Sequence, residues 1–462
     1  MQPPGAATSP RAPSAARAPS PGERLRHVPR ALGVPQLARL LGWGLWTLAA
    51  AAASAPLERL SKRGAALRAR RHARATARLV AVLGALKGVF AKAGQFAAIR
   101  HDVLPAALTG PLATLRDRVP PLPFSRIRAA VERELGAPLD ALFADFERQP
   151  LGAASVAQVH RARLPSGESV AVKVQYPWLQ TSLLADLAIA RALFTWLARG
   201  SGLDAGRVFA EFAGGMREEL DFEREGRVAR EIAANLADDP QIQVPSVFPS
   251  HSGRRVLTMS YHPAVAIDDR SGLARLRVEP RALLEIVGRA YAKQVFADGL
   301  FHADPHPGNL FVLDEPTAHE QPRVLFVDFG LSRRLDPELR REMRRGIHAV
   351  LQRDVDGFVT AMQRMGMVAP GSEARLRRAV EAMLDQIGGG GALGASGSAV
   401  LGLKDRAVAL LRETPGIQLP NDLLLYAKTM SYVFGLGAEL APEVDLMKVS
   451  LPHLLRFLGE RD

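Results

Sequence analysis

The spacing of apolar residues divides the chain into a helical front, a β-rich middle portion and a mainly helical remainder. Apolar residues recur at helical intervals from Leu79 to Phe90 and predict one amphipathic helix that continues to Arg100. Two short apolar runs at 154–164 and 169–174 flank a Pro-Ser-Gly turn, which is typical of a β-hairpin. A helical front therefore leads into a small sheet.

Further elements follow this hairpin. Helical patterns cover 183–199 and 205–235, and a strand is predicted at 255–259. Two later apolar runs, LFVL and RVLFV, flank a polar turn and predict a second hairpin between residues 310 and 328. The remainder is predicted to be helical with a glycine-rich interruption at 388–399, and it shows neither a repeat nor a C-terminal membrane span. The pattern as a whole predicts an α+β fold.

Composition narrows the class of protein. The chain has 462 residues, of which 47% are hydrophobic. Since single domains mostly span about 100 to 200 residues, this length predicts a two-lobed core with an extension. Cysteine is absent, which excludes disulfides and thiolate metal sites and suits a reducing, intracellular compartment.

The net charge of +13 is concentrated at the front of the chain. Residues 1–80 contain fourteen Lys or Arg residues and two acidic residues, so the rest of the chain is nearly neutral. Such a tail suits anionic lipid headgroups, at about 1 kcal/mol per well-placed basic residue, better than sequence-specific reading of DNA. We predict an anionic membrane partner and no nucleic acid; a solvated tail without a partner is the alternative.

The N-terminal segment allows several interpretations. Residues 1–36 are rich in Pro, Ala, Ser and Arg without apolar periodicity, which predicts a disordered tail. Residues 40–55 are uncharged and include Trp43 and Trp46, so this stretch is predicted to be either an interfacial helix or a helix packed on the protein. An Arg- and Ala-rich start also resembles a mitochondrial transit peptide.

The strongest candidate for chemistry is HADPHPGN at 302–309, together with the later VDFG that ends at Gly330. The spacing from Asp304 to Asn309 is the D-x-x-x-x-N of kinase catalytic loops. If the two apolar runs pair, Asn309 and Asp328 lie about 5 Å apart at the strand ends, where both can bind one Mg²⁺. Asp304 would then face the transferred phosphate and orient a hydroxyl or a water.

A second candidate lies upstream, in the predicted first hairpin. VAVK places Lys173 on a strand among apolar neighbours, as is needed for an ammonium against nucleotide phosphates. GAAS, from Gly152 through Ala153 and Ala154 to Ser155, has the position of a phosphate-covering loop with a single glycine.

An acidic partner for Lys173 is also required. The sequence leaves six candidates open: Glu218, Glu219, Asp221, Glu223, Glu225 and Glu231.

Together these motifs resemble the UbiB/AarF atypical kinases, with the similarity spanning about Leu79 to Gly330. The most specific mark is the KxGQ motif from Lys92 to Gln95, which ordinary kinases lack. The resemblance implies a two-lobed protein-kinase-like fold with an N-terminal helical extension and a mostly helical C-terminal lobe. The predicted domains are the tail at 1–36, the extension at 37–130, the N-lobe at 131–262 and the C-lobe at 263–462.

The resemblance also implies roles for individual residues. Lys92 and Gln95 would lie on a helix over the active site and act with Asp304, and that helix would contact the pair Glu219 and Asp221. Glu225 would be the partner of Lys173. The implied nucleotide contacts are completed by Ala171, Met259 and Tyr261. His306 stands where a protein kinase usually has a lysine.

The implied function is that of an ATPase or phosphotransferase that binds ATP or ADP with Mg²⁺ and supports isoprenoid quinone synthesis. The expected partners are isoprenoid lipids or quinone precursors, and quinone-biosynthesis enzymes. The expected location is cytoplasmic and peripheral to the membrane, or the matrix side of the mitochondrial inner membrane. A small-molecule phosphotransferase and a pseudokinase that acts as a nucleotide- or lipid-binding scaffold are the alternatives.

Overall fold

The computed structural model describes residues 86–99, 121–197, 205–314, 321–368, 371–387 and 420–460, with isolated positions before residue 86. The chain divides into two compact units, Met1–Leu86 and Lys87–Asp462. The predicted tail, Trp43 and the glycine-rich stretch lie outside the described residues. The helices and strands with assigned bounds all belong to the second unit.

Short strands and longer helices make up this unit. The strands are β1 Asp145–Ala153, β2 Ala157–Arg163, β3 Ser169–Gln175, β4 Ile242–Gln243, β5 Val256–Ser260, β6 Ala264–Ala266, β7 Leu300–Phe301, β8 Leu310–Leu313, β9 Val324–Phe326 and β10 Arg333–Arg334. The first helices are α1 Gly88–Ile99, α2 Phe124–Leu135, α3 Leu139–Leu142, α4 Leu179–Leu197, α5 Ala205–Glu219 and α6 Phe222–Asn235. The later helices are α7 Arg270–Arg275, α8 Pro280–Ala292, α9 Pro337–Gln352, α10 Val355–Arg364, α11 Glu373–Ile387, α12 Asn421–Leu440 and α13 Leu446–Gly459.

The N-lobe is built on a four-stranded antiparallel sheet in the order β1-β2-β3-β5. The predicted hairpin of β2 and β3 is therefore confirmed. Side chains alternate between the faces of a strand, so Val170, Val172 and Val174 of β3 pack with Ile127 of α2 in one core cluster. Lys173, between two of these valines, projects from the opposite face.

Two helix predictions were wrong at their boundaries. The single helix expected through Leu79 to Arg100 is interrupted at Lys87, whose φ of 55° is left-handed, and α1 begins only at Gly88. The helix expected over 205–235 is two helices, α5 and α6, because Asp221 caps α6 by accepting a hydrogen bond from Arg224 N at 2.9 Å. An N-cap residue has non-helical backbone angles, so it ends the preceding periodicity.

The C-lobe combines a second sheet with two clusters of helices. Its four strands run in the order β4-β9-β8-β6, and Leu310 of β8 is opposite Phe326 of β9, which confirms the second predicted hairpin. Helices α6, α8 and α12 contribute to a core cluster with β8 and β9, and helices α9, α10, α11 and α13 to another. The predicted two-lobed α+β architecture is thus confirmed.

Within the described part of the chain, no helix combines the length and the apolar character that crossing a bilayer requires. Trp46, in the predicted interfacial segment, is 67% exposed.

Candidate active site

Lys173 and Glu225 form a buried ion pair between the N-lobe sheet and α6. Nζ of Lys173 lies 2.7 Å and 2.9 Å from the two carboxylate oxygens of Glu225, and the side chains are 9% and 1% exposed. The same Nζ lies 2.7 Å from Oδ1 of Asp328. Glu225 is therefore the residue that contacts Lys173 among the six acidic candidates, because the cap at Asp221 starts a helix that turns Glu225 inward.

The shared ammonium couples the ionisation of both carboxylates. Burial by itself lowers the pKa of Lys173, but Asp328 and Glu225 outweigh burial and hold that pKa above its ordinary value. Burial raises the pKa of Glu225 to about 7 against the opposing effect of Lys173. Burial also opposes ionisation of Asp328, yet Lys173 holds its pKa well below the usual range. Asp328 is therefore anionic near neutral pH, as a metal-binding carboxylate must be.

The position of Asp328 depends on a buried histidine. Asp328 follows β9 with a left-handed φ of 62°, which is uncommon for a residue with a side chain. Nε2 of His302 lies 2.9 Å from Asp328 O and 3.0 Å from Val327 O. Because carbonyl oxygens only accept hydrogen bonds, Nε2 carries the proton and Nδ1 accepts from the Tyr291 hydroxyl at 3.1 Å. Burial lowers the pKa of His302, which favours this neutral form.

Asp304 and Asn309 lie at the two ends of the loop that leads into β8. Nδ2 of Asn309 donates to Asp304 O at 3.1 Å and to Oδ2 of the Asp304 carboxylate at 3.2 Å. The backbone N–H of His306 donates to Asp304 O at 2.7 Å. These bonds fix the loop and place both side chains at the cavity that Asp328 also lines.

The side-chain oxygens of Asn309 and Asp328 fit a small divalent cation. Asn309 O accepts from Val327 N at 3.0 Å, so the amide of Asn309 and the carboxylate of Asp328 lie at neighbouring strand ends, as the hairpin predicted. Among the described residues, no group of three or more His, Asp or Glu side chains could hold a metal. Mg²⁺ is typically held by one or two carboxylates plus substrate phosphates rather than by an all-protein cage. The residues present therefore fit a Mg²⁺ that arrives with a phosphate ligand.

Helix α1 carries the KxGQ motif against the cavity. Lys92 and Gln95 both line the cavity, and Lys92 forms an ion pair with Glu219 at the end of α5. The side chains of this pair are 15% and 12% exposed. Asp221, the other member of the predicted acidic pair, caps α6. The structure thus brings Lys92, Gln95 and Glu219 together and gives Asp221 a role in helix capping.

The GAAS segment is the turn between β1 and β2. Gly152 and Ala153 are the last residues of β1, and Ala154 N donates to Ala157 O at 2.8 Å. The hydroxyl of Tyr176 donates to Ala154 O at 2.9 Å, and Ser155 O accepts from Gly88 N at 2.8 Å. Ala154 and Ser155 line the cavity, and α1 holds the turn in place through this last bond.

The three remaining predicted nucleotide contacts lie on the paired strands β3 and β5 of the N-lobe sheet or just after β5. Ala171 on β3 is opposite Met259 on β5, and Tyr261 N donates to Ser169 O at 2.9 Å. Of the described residues, those that line the cavity do not include Ala171, Met259 or Tyr261. Their predicted nucleotide contacts remain predictions.

One cavity of about 490 Å³ lies between the two lobes and is lined by residues of the lysine, catalytic-loop and KxGQ motifs. Its charged and polar lining includes three lysines, several motif residues and further charged side chains. The charged and polar lining residues are Lys92, Gln95, Ser155, Lys173, Glu211, Glu219, Asp304, His306, Asn309, Asp328, Arg333 and Lys428. Phe96, Phe212, Met216, Leu331 and Leu425 provide an apolar wall. The arrangement offers cations for an anionic ligand, oxygen donors for a metal and an aspartate beside both.

Sequence reasoning missed Lys428 and the role of His302. Lys428 on α12 places Nζ 2.7 Å from Oδ1 of Asp304. The signal in the sequence was a single lysine within an otherwise apolar helical stretch, but nothing local linked it to a loop far upstream. His302 stood inside the quoted motif without an assigned role, since its partners are main-chain carbonyls that a sequence does not reveal.

Comparisons with known proteins identify the family of the chain. The ABC1 atypical kinase-like domain matches residues 114–362. A protein named "Probable protein kinase UbiB" from Marinobacter nauticus is 32% identical over 400 residues, which cover 83% of this chain and 70% of that protein. The uncharacterized protein sll0095 of Synechocystis is 31% identical over 393 residues, 81% of this chain and 66% of that protein.

The chain is also similar to the protein in a solved structure, that of the Rv3197–erythromycin complex from Mycobacterium tuberculosis, with 24% sequence identity. The structural match covers 78% of this chain and 94% of the chain in that structure, with a TM-score of 0.43. The family domain matches more than half of the chain. Together with the 32% identical relative, this match establishes the family that the motifs indicated. The chain belongs to the ABC1/UbiB family of atypical kinase-like proteins.

Proposed function

We propose that this protein is an ATP-dependent phosphotransferase or ATPase that acts on Mg²⁺-bound nucleotide. The observation that carries the proposal is the buried Lys173–Glu225 pair, whose ammonium lies 2.7 Å from Asp328 in the cavity that Asp304 and Asn309 also line. Phosphoryl transfer depends mainly on positioning and on neutralising phosphate charge, and this cavity supplies residues for both.

Lys173 and the GAAS turn would bind the phosphates. Glu225 holds the ammonium of Lys173, a residue within β3, in one position, so that the cation would be oriented before a phosphate binds. The backbone of Ala154 and Ser155 borders the same space. Ala171 on β3, Met259 on β5 and Tyr261 just after β5 are the proposed contacts for the base of the nucleotide.

Asn309 and Asp328 would hold Mg²⁺, which when bound would neutralise phosphate charge. Asp304, beside them, would orient a water or a hydroxyl for in-line attack and accept its proton. His302 keeps Asp328 in its left-handed conformation and thereby aims the carboxylate at the cavity. These residues are carried by two different segments, and the β8–β9 hairpin brings the segments together.

The acceptor would be small or lipid-soluble. Helix α1 lies along the cavity through the Lys92–Glu219 pair and Gln95, in the space that a bulky protein substrate would need. A relative is named "Probable protein kinase UbiB", and the resemblance to this family implies support of isoprenoid quinone synthesis. We therefore propose a role in isoprenoid quinone synthesis at an anionic membrane surface, with quinone precursors as ligands and quinone-biosynthesis enzymes as partners.

The test is phosphate release from Mg-ATP by the purified protein, with and without vesicles that contain anionic and isoprenoid lipids. The Asp328→Asn variant is the control, because it removes the metal-binding charge but keeps the shape of the side chain. We expect turnover that vesicles increase and that the variant abolishes.

Two other outcomes point elsewhere. Tight nucleotide binding without phosphate release in any condition would replace the proposal with a pseudokinase scaffold. Transfer of phosphate to one soluble compound from a panel of hydroxylated metabolites would replace it with a small-molecule phosphotransferase.

A further inference from the structure

The carboxylate of Asp304 is held from two sides, by one group that is near in sequence and one that is distant. Asn309 Nδ2 lies 3.2 Å from Oδ2 and is five residues away in sequence. Lys428 Nζ lies 2.7 Å from Oδ1 and is 124 residues away, on α12. Each carboxylate oxygen therefore has its own nitrogen donor, which restrains rotation of the group more than either contact alone.

Lys428 is placed where an ammonium is costly. It is the only Lys or Arg in α12, and its side chain is 10% exposed. Moving an ammonium out of water costs several kcal/mol unless it is paired with a charge. Asp304 provides that charge, and the ring of Tyr432 lies 5.8 Å from Nζ. An apolar side chain would fill the space at lower cost, so packing alone does not account for this lysine.

The loop of Asp304 does not supply a cation of its own. Residues 302–309 contain neither Lys nor Arg. The other two lysines that line the cavity contact other carboxylates, Lys173 those of Glu225 and Asp328, and Lys92 that of Glu219. Lys428 also lies outside residues 114–362, which match the family domain. A helix beyond that region thus brings the ammonium that contacts Asp304.

We propose that Lys428 is the positioning residue of Asp304: together with Asn309 it fixes the carboxylate in the orientation that activates the attacking hydroxyl or water. This inference rests on the proposed function, since the role of Asp304 belongs to it. The competing explanation is a structural one, in which Lys428 only ties α12 to the loop.

The first experiment is a double-mutant cycle for phosphate release. Lys428→Met is expected to lower kcat about 10- to 100-fold, because a small misplacement of a reacting group has effects of this order, while the KM for nucleotide stays nearly constant. In an Asp304→Asn background the same substitution should cause almost no further loss, because Lys428 acts through Asp304. Lys448→Met, at a lysine with 76% exposure on α13, is the matched control.

The absence of cysteine permits a chemical rescue of the charge. Lys428→Cys introduces the only thiol of the chain, and alkylation with 2-bromoethylamine converts it to a lysine-like side chain with an ammonium. We expect this treatment to restore most of the lost kcat, whereas the neutral reagent iodoacetamide should not. Equal losses from Lys428→Met in both backgrounds, or a lack of rescue by the ammonium, would overturn the proposal.

A structural readout keeps this inference separate from the proposed function. In crystal structures of the wild type and of Lys428→Met, the Asp304 carboxylate should leave its contact with Asn309 Nδ2 only in the variant. If Asp304 keeps its orientation in the variant, the positioning role is wrong whatever the activity. If Asp304 is displaced but the wild-type protein releases no phosphate, the proposed function fails and the positioning role stands.

Discussion

Two lysine–carboxylate pairs meet at the cavity, one from each lobe, and they differ in how the chain assembles them. In the N-lobe, Lys173 and Glu225 are 52 residues apart and both lie within the region that matches the family domain. In the C-lobe, Asp304 lies within that region but Lys428 lies beyond it. The lysines of the two pairs are nearly equally buried, with 9% of the Lys173 side chain and 10% of the Lys428 side chain exposed. Similar electrostatics can thus arise from a motif or from packing between distant elements.

The largest expected effect distinguishes the two pairs by their roles. Under the proposed function, Lys173→Met removes the cation that would contact the phosphates directly, and loss of such a preorganised group typically lowers turnover about 10²- to 10³-fold. Lys428→Met, which acts through Asp304, should have the smaller effect. Steady-state phosphate release from Mg-ATP measures both, with Lys448→Met as the control. A larger loss from Lys428→Met than from Lys173→Met would reverse the assignment.

The next prediction concerns the histidine on which Asp328 depends. His302→Leu leaves Asp328 O and Val327 O without their buried hydrogen-bond donor, which typically costs about 1 to 3 kcal/mol for an unsatisfied group. We expect the free energy of unfolding in urea to fall by this order and phosphate release to fall with it. Tyr291→Phe, which removes only the hydroxyl that donates to His302, should have a smaller effect on both. Wild-type turnover in His302→Leu would show that Asp328 holds its conformation unaided.

A smaller effect is expected at the helix cap beside Glu225. Asp221→Ala should lower the free energy of unfolding by about 1 kcal/mol through loss of the N-cap of α6. The matched control is Asp354→Ala, which removes an equivalent cap from α10, where Asp354 accepts from Gly357 N at 2.9 Å. Both variants should lose similar stability, but only Asp221→Ala should also lower turnover, because α6 carries Glu225. Equal turnover in the two variants would remove the link between the cap and the pair.

The smallest expected effect is a pH dependence that belongs to the N-lobe. Burial lowers the pKa of His160 below its ordinary 6.5, so His160 is neutral in the folded protein where the unfolded chain would bind a proton. Its contribution to stability is therefore complete above pH 6.5 and is lost as the pH falls below that value. Urea unfolding at pH 7.5 and 5.5 should show a smaller stability difference for His160→Gln than for the wild type. An unchanged difference would assign the pH dependence to other groups.

Much of the fold was predictable because its elements are specified locally. The apolar run at 169–174 after a Pro-Ser-Gly turn predicted β3, and the two apolar runs around a polar turn predicted the β8–β9 hairpin. The helix breaks were missed for a local reason too. Lys87 adopts a left-handed φ of 55° without glycine, and Asp221 ends one helix while capping the next, so apolar periodicity continues through both positions.

Local sequence alone was enough to predict which residue types could do the chemistry and where they lie relative to strand ends, because D-x-x-x-x-N and VDFG fix short distances along one chain segment. It did not determine which of six acidic residues pairs with Lys173, nor that Lys428 contacts Asp304. Those choices depend on how α6 and α12 pack against the sheets. Packing follows from the burial of apolar faces, and the same burial is compatible with many arrangements of polar residues. Which charges face the cavity follows from the packed fold, since a buried ammonium needs a carboxylate close in space rather than close in sequence.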